Sequence, residues 1–247
     1  MLKTKKYINY CDLISYAWGT VTSNIGFFIQ VALVYIGVSI AFAIPGYFLE
    51  ANKTAGDVSY GIANAALQIL NQIVGIMIAI GWFRICLAFC DGYKPSVGML
   101  FDYHGCFWKY IGASILYSLI IIGGILLLVV PGIIWSVKFG LYAYFVIDKG
   151  LSPVDALKAS ARATEGMKWH WFGFTSLCGS IMILGFMCLL VGAVVSYPVA
   201  MIAMALGYRQ LSAQTPELAE FGIDTIAAHI PQETMPPVEP EPMQPQM

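Results

Sequence analysis

The chain has 247 residues, 59% of them hydrophobic and only 11% charged, with a formal net charge of −1. Soluble domains carry about 25% charged residues, so so few charges cannot cover this much apolar surface, and a bilayer must serve as solvent. The lack of a basic excess argues against a nucleic-acid-binding face.

The N-terminal segment is basic, with Lys3, Lys5 and Lys6, and the first long apolar run begins only near Ile25. That run is too long for a signal-peptide core and is expected to stay attached as the first span. An amphipathic helix should precede it over about residues 8–22, where Tyr10, Leu13, Ile14, Ala17, Trp18 and Val21 recur at helical spacing. Apolar runs then predict six spans, over 25–49, 61–87, 107–130, 133–147, 169–190 and 193–211. An unbroken helix over 107–147 or 169–211 would measure about 60 Å, twice the hydrocarbon thickness. Turns are therefore expected at Pro131-Gly132 and Val191-Gly192, giving three hairpins. The alternative for 169–211 is a single broken span, which would move the tail to the other side.

Two further amphipathic segments precede the second and third hairpins. One covers residues 95–105, with Val97, Leu100, Phe101, His104 and Trp108 on one stripe. The other covers 152–165 and opens with Ser152-Pro153-Val154-Asp155, in which serine caps, proline takes the first helical position and an acid follows. All three segments are too short and polar to span and are expected to lie along the inner interface. They suggest an internal repeat that pairs Leu13 with Leu157, Ala17 with Ala161, and Phe27-Phe28 with Trp171-Phe172.

Of the 13 lysines and arginines, eleven fall on one side of these spans, Lys53 on the other, and Lys138 inside a span. This positive-inside pattern predicts that both termini are cytoplasmic. From Ala213 the composition changes. Residues 213–247 hold Glu217, Glu220, Asp224, Glu233, Glu239 and Glu241, no lysine or arginine, and a proline-rich end expected to be disordered. Such a tail should project from an anionic membrane, as a solubilising end or a partner-binding one.

Lys138 is the sharpest candidate for chemistry. An ionisable side chain within a span faces a protein interior or a water-filled cavity, unless its stem carries the ammonium to the interface. Asn64, Gln68, Asn71 and Gln72 form a second polar feature on one face of the second span, with Gly75 and Ala79. Amides in lipid need partners, so this face is expected to meet other helices or line a polar path. A further small-residue face, Gly192, Ser196, Ala200, Ala203 and Gly207, reads as packing. Cys86, Cys90, His104 and Cys106 lack the spacing of a metal site and read as packed or lipid-facing thiols. Asn52-Lys53-Thr54 matches a glycosylation acceptor, a tripeptide common by chance. His104 and His170 are expected at headgroup level beside Trp108, Trp169 and Trp171. No catalytic motif and no cofactor site is evident.

The stretch PGIIWSVKFGLYAYFVIDKGLSPVDALKASARATEGMKW and the ending VGAVVSYPVAMIAMALGYRQL resemble a family of uncharacterised bacterial six-helix integral membrane proteins. A similar domain is the membrane part fused to some glycerophosphoryl diester phosphodiesterases. The resemblance covers about residues 8–212 and implies Pro131, Gly132, Asp148, Ala156, Leu157, Ser160 and Gly166 as signature positions. It brings no catalytic residues. The expected function is a non-enzymatic membrane module that binds or scaffolds a membrane or cytoplasmic partner. The alternative is transport of a small polar or anionic solute past Lys138 and the amides.

Overall fold

The computed structural model describes residues 9–51, 58–102, 105–127 and 129–215, together with Leu218. The N-terminal lysines, the Asn52-Lys53-Thr54 tripeptide, His104 and nearly all of the acidic tail lie outside the described residues. The fold is all-α. Its helices are α1 (Tyr10–Ser23), α2 (Ile25–Ala51), α3 (Val58–Cys90), α4 (Phe107–Leu127), α5 (Val129–Phe139), α6 (Tyr142–Lys149), α7 (Pro153–Ala163), α8 (Lys168–Met187) and α9 (Leu189–Ala213), with a 3-10 helix at Val97–Phe101. Six stretches among the described residues are long and apolar enough to cross a membrane: α2, α3, α4, Val130–Lys149, α8 and Gly192–Ala213.

The hairpin turns sit earlier than the sequence suggests. α4 ends at Leu127 and α5 begins at Val129, so Pro131 and Gly132 lie inside the first turn of α5. Proline is tolerated there because the first amides of a helix have no intrahelical acceptor. Gly132 instead marks a close crossing: a Cβ on it would come 2.6 Å from Ile125 Cγ1, and one on Gly124 would come 2.9 Å from the Gly132 Cα. The third hairpin turns at Cys188 rather than Val191-Gly192, and α8 and α9 pack against each other as two antiparallel helices. Gly185 and Gly192 make the equivalent crossing, where a Cβ on Gly192 would come 2.3 Å from the Gly185 carbonyl oxygen.

The fourth span is not one helix. It breaks at Gly140-Leu141 between α5 and α6, and α7 repairs the break. Ser160 Oγ accepts from the Leu141 amide at 3.1 Å and donates to the Lys138 carbonyl at 3.0 Å, and Thr164 Oγ1 reaches the same carbonyl at 3.2 Å. α7 starts as its sequence dictates, with Ser152 Oγ accepting from the Asp155 amide and Pro153 in the first turn. It then buries Ala156, Leu157, Ala159, Ser160 and Ala163 against α4, α5 and α6. The middle amphipathic segment is shorter than expected, forming only the 3-10 helix, because the run from Gly92 to Ser96 with Pro95 does not continue into an α-helix.

The three units follow one plan. Pro153 lies 143 residues after Tyr10, and Lys168 lies 143 after Ile25, so α7-α8 repeats α1-α2. This register differs by one residue from the pairing of Phe28 with Phe172, and burial supports it. Ala17, Val21, Phe28 and Val31 are buried, as are Ser160, Thr164, Trp171 and Phe174, whereas Phe172 is 37% exposed. Each leading segment packs on the hairpin before it in a closed cycle: the 3-10 helix on α3, α7 on α4 and α6, and α1 on α9.

Burial is concentrated at one end, the end where Arg84, Lys94, Lys109, Lys149 and Arg209 gather. There Ile80–Phe89 of α3, Leu141–Asp148, Met167–Phe174 and Val199–Leu211 supply the core. Towards the opposite end the helices present large apolar side chains outward, among them Ile44, Ile69, Leu126, Ile183 and Phe186.

Candidate functional site

Two polar features stand out, one inside the bundle and one on its surface. Inside, the return helices α3, α6 and α9 converge at the basic end. Glycines with φ of +78° and +61° stop the first two, Gly92 after α3 and Gly150 after α6, a backbone conformation that costs glycine little. Asp91 and Asp148 are thereby held at neighbouring helix ends, and Arg209 of α9 bridges them. Its Nη1 donates to Asp148 Oδ2 at 2.9 Å and its Nη2 to Asp91 Oδ2 at 2.6 Å. Tyr208 donates its hydroxyl to Asp148 Oδ2 at 2.6 Å, and Lys149 Nζ lies 3.7 Å from the same oxygen.

The Asp148 side chain is fully buried, whereas Asp91 and Arg209 keep about a quarter of their side-chain surface. A buried carboxylate is tolerated only when paired and hydrogen-bonded, and Asp148 has both. Tyr208 is fixed for its role by the Tyr144 ring stacked on it at 5.2 Å and by an edge contact with Phe145. Burial pushes the Asp91 carboxyl above its ordinary range, and the Arg209 guanidinium pulls it back. Asp148 Oδ1, Arg209 Nε and Gln210 Oε1 are buried without a hydrogen-bond partner among the described residues. The clasp thus ties three helices by one guanidinium and two carboxylates, and residues 118 positions apart in sequence form it.

Further ties surround it at the same end. Arg84 pairs with Asp102 at 2.7 Å, linking α3 to the end of the 3-10 helix, and Lys109 donates to the Gly150 carbonyl at 2.8 Å, closing the end of α6. Cys86, Cys106 and Cys178 are buried thiols, and the described residues contain no cluster of three metal-ligating side chains.

The implied signature positions are distributed over this frame. Asp148 is in the clasp, Gly132 in the α4–α5 crossing, Ala156, Leu157 and Ser160 in the face of α7 that repairs the break, Pro131 in the first turn of α5 and Gly166 in the turn into α8. Tyr208, Arg209 and Asp91 carry no local motif that marks them as site residues. The signal available was an acid shortly before a helix-ending glycine, with Asp91 one residue before Gly92 and Asp148 two before Gly150.

Lys138 sits in the last turn of α5, half-buried, with its Nζ 5.2 Å from the centre of the adjacent Phe139 ring and no carboxylate partner among the described residues. α5 packs on α4, α7 and α8, while α3 packs on α2, α6, α9, the 3-10 helix and, more lightly, α4. α4 thus borders both helices, but Lys138 makes no hydrogen bond to the α3 amides among the described residues. Gln68, Asn71 and Gln72 are exposed, Asn64 is half-buried, and none of the four makes a side-chain hydrogen bond among the described residues. The far half of α3 approaches α2, where a Cβ on Gly46 would come 3.7 Å from Leu67, and the far half of α2 is itself largely exposed.

The chain is similar to three mycobacterial proteins. It is 23% identical over 227 residues to the uncharacterized protein Mb2590 of Mycobacterium bovis, covering 81% of this chain and 68% of that one. The uncharacterized proteins MT2637 and Rv2560 of Mycobacterium tuberculosis align over the same shares at 23% and 22% identity. No family model matches the chain, and no solved structure matches it.

Proposed function

We propose that the protein is a non-enzymatic, multi-pass module of a bacterial inner membrane that works by binding another membrane component through helix–helix contact. In this reading its basic end and both termini face the cytoplasm, since the Arg84, Lys94, Lys109, Lys149 and Arg209 end carries the positive charge. The observation that carries it is the amide face of α3. Charged and hydroxyl groups at the basic end tie the bundle together, whereas Gln68, Asn71 and Gln72 of α3 are exposed and make no side-chain hydrogen bond among the described residues. A polar face left open in hydrocarbon calls for another helix. A solute path would instead need Lys138 and these amides to face one another; α4 borders both of their helices, but no hydrogen bond joins them among the described residues. The resemblance to a domain that accompanies phosphodiesterases also suits an accessory module.

Site-specific photo-crosslinking tests this. A benzophenone side chain at position 72, in native membranes, should capture protein, and Asn71→Leu should weaken the capture. Adducts with lipid alone would refute association at this face.

A further inference from the structure

We infer that the partner of the α3 amide face is a second copy of this chain, joined face to face about a two-fold axis along the membrane normal. The inference rests on the association reading above and names its partner.

Demand comes first. Asn64, Gln68, Asn71 and Gln72 fall within an arc of about 100° on α3 at 3.6 residues per turn. Arg84, paired with Asp102 at 2.7 Å, is the one charged residue of α3, six residues before its end, and in this proposal sets the basic boundary of the span. Counting back at 1.5 Å per residue puts Asn71 about 20 Å and Gln68 about 24 Å from Arg84, within a hydrocarbon layer about 30 Å thick. Among the described residues no protein group hydrogen-bonds to these amides, and lipid tails cannot. In this proposal their partners come from another molecule.

Supply follows from chemistry. A carboxamide carries both donors and acceptors, so it is its own complement. The face holds no charge, so a second copy brings no repulsion. Copies that share one insertion topology can be related by a two-fold axis only along the membrane normal. That operation sets every amide opposite its own counterpart at its own depth, a match an unrelated helix would have to achieve position by position. Close approach is also open: Gly75 and Ala79 continue the same face, and a Cβ built on Gly75 meets nothing within 4 Å. Small residues at this spacing let helix backbones meet and bring the amides into bonding range.

Proteoliposomes holding only the purified full chain give the test. Irradiating a benzophenone at position 72 should yield an adduct of twice the 27.0 kDa chain mass, whereas one at exposed Ile122 on α4 should not. Fluorescence transfer between labelled copies should show the dissociation constant rising about threefold to twentyfold for each amide in Gln68→Leu and Asn71→Leu. Leucine suits a lipid-facing position, so these variants retain the bundle. A monomer in liposomes, together with capture of a different protein in native membranes, overturns the second copy and leaves association standing. No protein adduct in either setting overturns both.

Discussion

Asp148 offers the sharpest stability test because its two oxygens have different duties. Oδ2 accepts from Tyr208 at 2.6 Å and from Arg209 at 2.9 Å, while Oδ1 has no hydrogen-bond partner among the described residues. In Asp148→Asn the new amide nitrogen can take the Oδ1 position and leave both acceptor bonds in place, so the substitution removes charge with little change of shape. Hydrogen bonds to charged groups contribute about 1.5–3 kcal/mol against about 0.5–1.5 for neutral ones, a loss of about 2–3 kcal/mol over two bonds. Relief of the carboxylate's desolvation offsets part of that, leaving a net cost of about 1–2 kcal/mol. Asp148→Ala also strands the buried Tyr208 hydroxyl and one arm of Arg209 and should cost about 3–5 kcal/mol. Reversible unfolding in mixed detergent micelles measures both. Equal costs for the two variants, or a cost below about 1 kcal/mol for alanine, would refute the clasp as the tie between α6 and α9.

The remaining predictions use the same unfolding assay. Ser160→Ala strands the buried Leu141 amide and should cost about 1–3 kcal/mol, whereas Thr164→Val leaves Ser160 on the Lys138 carbonyl and should cost about 0.5 kcal/mol. Gly81→Ala drives a Cβ to 2.2 Å from the Leu100 carbonyl oxygen, where backbone must move, and should lose about 1–3 kcal/mol. Gly75→Ala in the monomeric protein should instead be neutral, or gain up to about 1 kcal/mol of helix propensity. Asp91 sets a pH dependence. Its folded-state pKa is raised above 3.8, chiefly by burial, so its contribution is full below the unfolded value and fades as pH rises through the folded one. Wild type should therefore lose stability relative to Asp91→Asn as pH climbs through the mildly acidic range above 3.8. A relative gain would show that attraction to Arg209 outweighs burial.

Much of the frame was legible in the sequence because lipid imposes it. The six apolar runs, the Ser152 cap and the helix ends at Asp148-Lys149-Gly150 follow from local residue types. The turn positions were not legible, because Pro131 fits the first turn of a helix as well as a loop. Nor was the break at Gly140-Leu141, whose backbone groups are satisfied by Ser160, 19 positions onward. Periodicity put the α3 amides on one face, but periodicity is silent on whether that face turns in or out. The clasp needed Asp91 and Arg209 side by side, which only the convergence of three return helices provides.

The central claim is that the α3 face contacts protein, and the collision accessibility of a spin label at position 72 tests it most directly. The label would be placed in a chain whose exposed thiols Cys11 and Cys188 are replaced by serine. The account predicts low accessibility both to oxygen, which partitions into lipid, and to a water-soluble nickel complex, rising towards oxygen when Asn71→Leu loosens the contact. High oxygen accessibility in the unaltered face would mean lipid covers it, and high nickel accessibility would mean water does; either contradicts the account.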